Sequence, residues 1–178
     1  GMFRKQFALF KQHGFVHRRG FLFYGPHGSG KSMVVQLIVQ RIISDGGLVL
    51  ACSHNPEWFV AGVRLLRTVE PERRILCVFE DIDALFRRWG ETQILSFLDG
   101  EDRTHGILNV ATTNYPEVLD PRIVARPRRF DRIIKVDNPN EAIRRAYFTA
   151  KLKNKRAVDA WVAATEGFSF AALAEAVI

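Results

Sequence analysis

One glycine-rich octapeptide constrains this chain of 178 residues more than any other feature. It runs Gly25-Pro26-His27-Gly28-Ser29-Gly30-Lys31-Ser32. It fits the phosphate-binding loop pattern G-x-x-x-x-G-K-[ST] at every fixed position. The apolar residues 21–24 before it predict a buried strand, and residues 33–43 after it predict a helix. Glycines here let backbone N–H groups turn toward a phosphate, and the helix N-terminus favours the negative charge.

The octapeptide therefore predicts a nucleoside triphosphate site. Lys31 is expected to reach the β- and γ-phosphates, and the Ser32 hydroxyl is expected to bind Mg²⁺. The predicted nucleotide contacts are the eight residues 25–32 together with Met33 in the first turn of the helix. A glycine-rich turn that matches the pattern by chance is the alternative, and the flanking strand and helix argue against it.

Length and composition limit the number of domains, the kinds of partner and the location that we expect for this chain. The chain has room for one α/β domain and a small appendage, and a net charge of +7 permits affinity for nucleic acid. However, the arginines fall in scattered pairs, which fit a solvated surface or a subunit interface at least as well. Cys52 and Cys77 lie in apolar stretches without metal-binding spacing, which favours buried free thiols over a disulfide. With no apolar run of membrane-spanning length and no secretion signal, we expect a cytoplasmic protein.

Strands and helices alternate along the first part of the chain. Besides the first strand and helix, the pattern predicts strands at 48–52, 75–79, 107–112 and 133–136 and helices at 57–69 and 92–98. Three further helices are predicted at 141–152, 157–164 and 170–178. This order predicts an α/β fold with a five-stranded parallel sheet over residues 1–138, followed by a small helical unit over 139–178. We expect that unit to be incomplete, because its last helix is still running at the final residue.

A second motif, Glu80-Asp81-Ile82-Asp83, follows the third strand. In an open α/β sheet, the carboxyl end of a strand lies beside the phosphate loop. One carboxylate there can hold Mg²⁺ through water while the next polarises the attacking water. A solvated acidic loop after a strand is the alternative.

Together with Leu98-Asp99-Gly100 and two later segments, these motifs resemble the AAA family of ATPases. The two segments, 112–121 and 126–132, are similar to the family's second region of homology, which other phosphate-loop enzymes lack. The resemblance covers residues 18 to 173, nearly the whole chain. The Glu-Asp order at 80 and 81 resembles the mitochondrial branch that translocates the Rieske iron–sulfur subunit, and bacterial and phage ATPases share a similar core.

The resemblance implies ATP hydrolysis with Mg²⁺ and gives the acidic residues separate roles. Glu80 takes the metal side with Ser32, and Asp81 takes the position of the catalytic base. Asp81 is one methylene shorter than the glutamate of most members, so we expect slow turnover. Asn114 matches the polar residue between the acidic strand end and the γ-phosphate, where an amide can orient water. Alternatively, Asn114 caps a turn before Pro116.

The resemblance also implies that Arg126 and Arg129 are arginine fingers that project into a neighbouring subunit's nucleotide site. A guanidinium there stabilises charge that develops on the transferred phosphoryl group. The implied partners are copies of the chain in a ring, a hexamer or a heptamer. Arg128 stands where the family has glycine, which leaves the choice of finger ambiguous. Alternatively, the arginines form a surface patch that binds an acidic partner.

The helices after residue 138 resemble the family's lid, with Phe170 expected in its core. Members that thread polypeptides carry an aromatic–aliphatic–glycine loop, for which Trp58-Phe59-Val60-Ala61-Gly62 is the candidate here. Pro56 predicts a helix start just before it, so we expect Trp58 and Phe59 in the core or an interface rather than in a pore. The apolar side of that helix is predicted to carry Trp58, Ala61, Leu65 and Leu66.

The predicted function is that of an AAA ATPase core whose nucleotide cycle moves the subunits of a ring to remodel or translocate a macromolecular partner. The sequence does not identify that cargo. An ATP-dependent switch or scaffold with little hydrolysis is one alternative, and a nucleic-acid-handling ATPase, suggested only by the positive charge, is another.

Overall fold

The structure is a computed structural model that describes residues 18–100, 106–119 and 129–177. Its strands are β1 (Arg18–Tyr24), β2 (Leu48–Ala51), β3 (Ile75–Phe79), β4 (Ile107–Thr113) and β5 (Arg132–Lys135). Its helices are α1 (Lys31–Ser44), α2 (Pro56–Val69), α3 (Ile82–Trp89), α4 (Thr92–Asp99), α5 (Glu141–Lys151), α6 (Val158–Ala164) and α7 (Phe170–Ala176). Short 3₁₀ turns lie at Pro116–Val118 and Lys155–Ala157.

The described strands form a five-stranded sheet in the order β2-β3-β4-β1-β5, and every neighbouring pair is parallel. All five residues of β3 are buried, as expected for a parallel strand that is covered on both faces. The predicted α/β fold and parallel sheet are thereby confirmed. Because β4 lies between β3 and β1, the carboxyl ends of these three strands meet at one edge of the sheet.

Apolar clusters cover the two faces of the sheet. On one face, α1 packs through Val35 against Phe23 and Val110 of the strands. On the other face, three aromatic rings meet edge-on, with Phe59 of α2 against Phe79 of β3 at 5.3 Å and against Phe97 of α4 at 5.8 Å. This second cluster fixes the carboxyl end of β3, from which the acidic motif emerges.

Helix α2 buries a different face from the predicted one. Trp58 is 80% exposed and Leu65 is 68% exposed, and Ala61 is exposed as well. The buried stripe consists of Pro56, Val60, Val63 and Arg67. The prediction was wrong for Trp58, Ala61 and Leu65, because it counted apolar residues whereas the inner stripe includes an arginine, and it was right for Leu66, which packs against the core cluster. The guanidinium of Arg67 is accommodated there by donating hydrogen bonds to the backbone carbonyls of Pro71 at 3.1 Å and of Arg73 at 2.5 Å.

This packing predicts unequal costs for two neighbouring aromatic substitutions. Phe59→Ala removes a ring from the aromatic cluster and should lower the free energy of unfolding by about 2–4 kcal/mol. Trp58→Ala should change it by no more than about 0.5 kcal/mol, because the indole is mostly in solvent. Urea unfolding followed by circular dichroism measures both values. Equal losses from the two variants would contradict the assigned face of α2.

Helix α3 is an element that the sequence analysis did not predict. It directly follows the acidic motif and is closed by Gly90, which has a φ of +76°. Only eight residues long, it carries charged residues at Asp83, Arg87 and Arg88, so its apolar residues form a short stripe. The other predicted elements are present in the described residues, with ends that differ by at most two residues, except that β1 begins three residues before its predicted start.

Helices α5, α6 and α7 pack around a cluster of their own, formed by Phe148, Val158, Val162 and Leu173. Phe170 packs against that cluster, as predicted. The predicted boundary at residue 138 stays a prediction, and the final residue lies outside the described part of the chain. Among the described residues, none of the helices combines the length and apolar character that a membrane crossing requires.

Candidate active site

The phosphate-binding loop leaves β1 at a position that only glycine accommodates. A Cβ on Gly25 would lie 2.1 Å from the carbonyl oxygen of Val136, and Gly25 has a φ of +151°. Gly30 has a φ of +103° and precedes the first residue of α1. Residues that have a Cβ atom are strained in such conformations, whereas glycine is not. The two glycines thus turn the loop from the edge of the sheet onto the N-terminus of α1.

Two polar side chains of this loop are buried and suit a phosphate ligand. The Nζ atom of Lys31 donates hydrogen bonds to the carbonyls of Gly25 at 2.9 Å and Pro26 at 2.8 Å. Burial lowers the pKa of Lys31 below its ordinary value, and the nearby Asp81 carboxylate opposes that shift. The Ser29 hydroxyl is fully buried and has no hydrogen-bond partner within the part of the chain that the structure describes. A buried cation and an unsatisfied hydroxyl in one loop fit an anionic group.

Ser32 and Glu80 come together where α1 begins and β3 ends. The Ser32 hydroxyl donates to Oε2 of Glu80 at 3.4 Å. Both are hard oxygen donors, the type that Mg²⁺ prefers. No group of three or more His, Cys, Asp or Glu suited to a metal occurs among the described residues. The donor pair suits Mg²⁺, because Mg²⁺ usually takes its other ligands from phosphates and water.

Asp81 has the left-handed backbone conformation, with a φ of 47° and a ψ of 55°. It is the sole non-glycine residue with positive φ in the described part of the chain. Its N–H donates to Oγ1 of Thr112 at 3.0 Å, and its carboxylate accepts from Nδ2 of Asn114 at 3.1 Å. Strained residues of this kind cluster at functional sites. The structure thus places the predicted base and Asn114 in direct contact.

Asp83 is a site residue to which the sequence analysis gave no role. It is 3% exposed and accepts hydrogen bonds from Oγ1 of Thr113 at 2.8 Å and from Arg87 at 2.9 Å. The same Thr113 hydroxyl accepts the N–H of Tyr115 at 3.1 Å. The end of β4 that carries Asn114 is therefore tied to α3 through a buried carboxylate. The sequence feature that could have indicated this role is the spacing of Asp83 and Arg87, because residues four apart lie on the same side of a helix and can form an ion pair.

We expect Asp83→Ala to reduce both stability and turnover. The Thr113 hydroxyl would lose its buried acceptor, at a cost of about 1–3 kcal/mol in the free energy of unfolding. Asn114 would then be less well fixed against Asp81, so kcat should fall while KM for ATP changes little. Steady-state kinetics and urea unfolding measure the two effects. Asp137→Ala, which removes an exposed ion pair with Lys135, is the matched control, and equal behaviour of the two variants would contradict this role.

The other predicted site residues have different placements. Arg126 lies outside the described residues, as does Arg128. Arg129 is 5% exposed and forms an ion pair with Asp99 of its own chain. His27, one of the predicted nucleotide contacts, is an exposed loop side chain, and its Nε2 lies 3.0 Å from the hydroxyl of Tyr115. The nucleotide contacts of the loop and of Met33, which is 58% exposed, stay predictions.

A cleft of about 450 Å³ opens beside the acidic residues. Glu80 and Asp81 line it together with Cys52, Arg88 and Trp89. Burial raises the pKa of the Cys52 thiol to about 11, so this cysteine stays protonated and is a poor nucleophile. Both cysteines are buried thiols that form no disulfide with each other, as predicted. The chemistry available at this edge of the sheet therefore comes from carboxylates, an amide and an ammonium group.

Comparison with known proteins agrees with this geometry. Residues 21–138 match the model of the ATPase family associated with various cellular activities, AAA. The chain belongs to the AAA family. Members of this family are ATPases, so family membership indicates ATP hydrolysis. The phosphate-binding loop, the acidic motif and Asn114 of this AAA chain all lie within the matched residues.

Proteins similar to this AAA chain include an ATP-dependent zinc metalloprotease and proteasome-activating nucleotidases. It is 32% identical to an ATP-dependent zinc metalloprotease FtsH of Acidothermus cellulolyticus, over 94% of the chain and 28% of that relative. It is 31% identical to a proteasome-activating nucleotidase of Methanococcus vannielii, over 75% of the chain and 37% of the relative. It is also 31% identical to the proteasome-activating nucleotidase of Thermococcus onnurineus, over 93% of the chain and 46% of that relative. The chain thus spans less than half the length of these relatives. The resemblance to the Rieske-translocating branch stays a prediction.

Proposed function

We propose that this chain binds ATP with Mg²⁺, hydrolyses it, and works as one subunit of a ring that remodels or translocates a macromolecular partner. The observation that carries the proposal is the meeting of three strand ends at one edge of the sheet. They bring the loop lysine, the Ser32–Glu80 pair and the Asp81–Asn114 pair together. These are the groups that hydrolysis of a phosphoanhydride requires.

Each group has a distinct task in the proposed reaction. Lys31 exchanges its hydrogen bonds to loop carbonyls for phosphate oxygens, and the N-terminus of α1 adds its partial positive charge. Ser32 and Glu80 would hold Mg²⁺, which supplies charge neutralisation and orientation of the phosphates. Because the pKa of Lys31 is lowered by burial and partly restored by Asp81, a bound triphosphate should favour its protonated form further.

Asp81 accepts a proton from the attacking water in this proposal. Asn114 is bonded to one carboxylate oxygen, Oδ1, and the other oxygen is left to accept from water. The bond from the Asp81 N–H to Thr112 holds the backbone in its left-handed conformation, so the carboxylate keeps one direction. Asp81 thus acts as general base, and Asn114 sets its orientation.

The ring and its cargo are the part of the proposal that depends most on family membership. An arginine from the 126–129 segment of a neighbouring subunit would complete the charge stabilisation of the transferred phosphoryl group. The exposed indole of Trp58 lines a second cleft, which shares Cys52, Arg88 and Trp89 with the cleft beside the acidic residues, and there it is available to contact a partner. We do not assign a cargo.

The experiment that tests the proposal is ATP hydrolysis measured against protein concentration, with and without excess EDTA. A ring enzyme gains specific activity as it assembles, so activity per subunit should rise with concentration and parallel the assembly seen by analytical ultracentrifugation. EDTA should abolish it. Specific activity that is independent of protein concentration would contradict the proposed ring. Absence of ATP binding would contradict the proposed function as a whole.

An ATP-dependent switch with little hydrolysis is the second candidate, and the geometry of Asp81 favours it. The base is one methylene shorter than glutamate and its backbone is strained, which limits its reach toward water. Tight ATP binding with turnover near the spontaneous rate, in fully assembled protein, would favour the switch. Stimulation of turnover by single-stranded DNA or RNA would instead favour a nucleic-acid-handling ATPase.

A further inference from the structure

His27 of the phosphate-binding loop contacts Tyr115, the residue that follows Asn114. Nε2 of His27 and the hydroxyl of Tyr115 lie 3.0 Å apart, which is hydrogen-bond distance. The two rings meet edge-on, with centroids 5.5 Å apart and an interplanar angle of 68°. Imidazole and phenol can each donate or accept, so one hydrogen bond forms with either tautomer of the histidine. A polar and an aromatic contact therefore join two segments that are 88 residues apart in the chain.

The pairing of β1 with β4 brings these two side chains together. Tyr24 and Thr113 are the last registered partners of the two strands. His27 comes shortly after Tyr24 in the chain, and Tyr115 comes shortly after Thr113. Because the carboxyl ends of neighbouring parallel strands lie at one edge of the sheet, the loop and the turn leave it side by side. The contact thus continues the β1–β4 pairing beyond the sheet.

Asn114 lies between two residues that are themselves anchored. On one side, the Thr113 hydroxyl donates to the buried carboxylate of α3 at 2.8 Å. On the other side, the Tyr115 N–H donates to the same Thr113 hydroxyl at 3.1 Å, and the Tyr115 ring contacts His27. Asn114 in turn donates to Asp81, the proposed base, at 3.1 Å. The direction of the Asn114 amide therefore depends on where the phosphate-binding loop holds Tyr115.

We propose that His27 and Tyr115 form a positioning pair that joins the phosphate-binding loop to Asn114, so that a triphosphate in the loop and the Asp81–Asn114 pair keep one mutual arrangement. Neither member of the positioning pair touches the nucleotide in this task. Direct contact of His27 with a phosphate is the alternative. The inference rests on the proposed function, because it assigns a task in the hydrolysis that Asp81 and Asn114 carry out.

The variants His27→Ala, Tyr115→Phe and their double variant test the positioning pair. Each single variant should lower kcat about three- to tenfold, the range that one neutral hydrogen bond covers, while affinity for ATP stays within about twofold. Because both side chains act through one contact, the double variant should lose no more turnover than the more impaired single variant. His27→Gln, whose amide can donate or accept, should recover most of the turnover.

Tyr147→Phe is the matched control for loss of a phenol hydroxyl. Tyr147 lies in α5 and packs edge-on against Phe148, within the helical unit. Its hydroxyl has no part in the proposed reaction, so kcat should stay at the wild-type value. His27 and Tyr115 are both exposed, so their variants should also keep the wild-type circular dichroism spectrum and unfolding midpoint. A fall in kcat with an unchanged midpoint separates positioning from a general loss of structure.

Three kinetic results would overturn the positioning pair. The first is a wild-type kcat in Tyr115→Phe. The second is a loss in the double variant equal to the product of the two single losses, because the side chains would then act independently. The third is an affinity for ATP that falls strongly in His27→Ala but not in Tyr115→Phe, which would assign His27 to the phosphate itself.

Hydrogen exchange at the Tyr115 amide separates this inference from the proposed function. That N–H is bonded to the Thr113 hydroxyl, and its exchange, followed by mass spectrometry, requires no turnover. His27→Ala should raise its exchange rate several-fold, and Tyr147→Phe should not. An unchanged rate in His27→Ala overturns the positioning pair. A raised rate in a chain whose wild type neither binds nor hydrolyses ATP would contradict the proposed function while supporting the contact.

Discussion

Asp81→Asn is expected to abolish most ATP hydrolysis while ATP binding persists. The amide cannot accept a proton from water, and loss of a general base costs about 10²–10⁴ in turnover. The substitution keeps the size of the side chain, and asparagine tolerates the left-handed backbone at this position as well as aspartate does. Lys31, Ser32 and Glu80 are untouched, so affinity for ATP should stay within a few-fold. Steady-state hydrolysis and fluorescent-nucleotide titration measure the two quantities.

Two further variants make the Asp81 result specific. Glu117→Gln removes an exposed carboxylate from the 3₁₀ turn that follows Asn114, and it should leave turnover unchanged. Lys31→Ala should instead abolish binding, because it removes the buried ammonium of the phosphate loop. If Asp81→Asn hydrolyses ATP at the wild-type rate, Asp81 is not the base, and the Glu80 carboxylate becomes the candidate for that role.

The features of this protein that could be predicted from the sequence are those whose structure is determined by residues close to one another in the chain. The octapeptide between a strand and a helix defines the phosphate loop by its own glycines. The apolar run of β3 and the acids behind it place carboxylates at a strand end without knowledge of any distant contact. Asn114 follows β4 in the same way. Because parallel strands align their carboxyl ends, three local patterns were enough to predict that these groups converge.

What sequence could not predict depends on contacts between distant residues. The buried stripe of α2 includes Arg67, whose burial is satisfied by carbonyls that no periodicity reveals. The role of Asp83 requires that Thr113, thirty residues later, ends beside it. The trans-acting role of Arg129, taken from its motif, stays a prediction. Its bond to Asp99 becomes visible only when α4 and the chain before β5 are placed together.

Arg126→Ala is the second substitution for which we expect a large effect. If this arginine completes a neighbour's site, turnover should fall by about 10³–10⁵, the range over which arginine fingers act. Nucleotide affinity and ring assembly should change little, because the loop and the acidic residues of each subunit remain intact. Hydrolysis and analytical ultracentrifugation at matched protein concentrations measure these effects.

Mixing two inactive variants shows whether Arg126 acts between chains. In rings formed from equal amounts of Arg126→Ala and Asp81→Asn subunits, random assembly gives roughly a quarter of sites an intact base beside an intact neighbouring arginine. Activity should therefore reappear on mixing to about that share of wild type. If Arg126 acted within its own chain, every site in the mixed ring would lack one of the two groups. The mixture would then stay inactive, and the trans-acting role of this segment would be excluded.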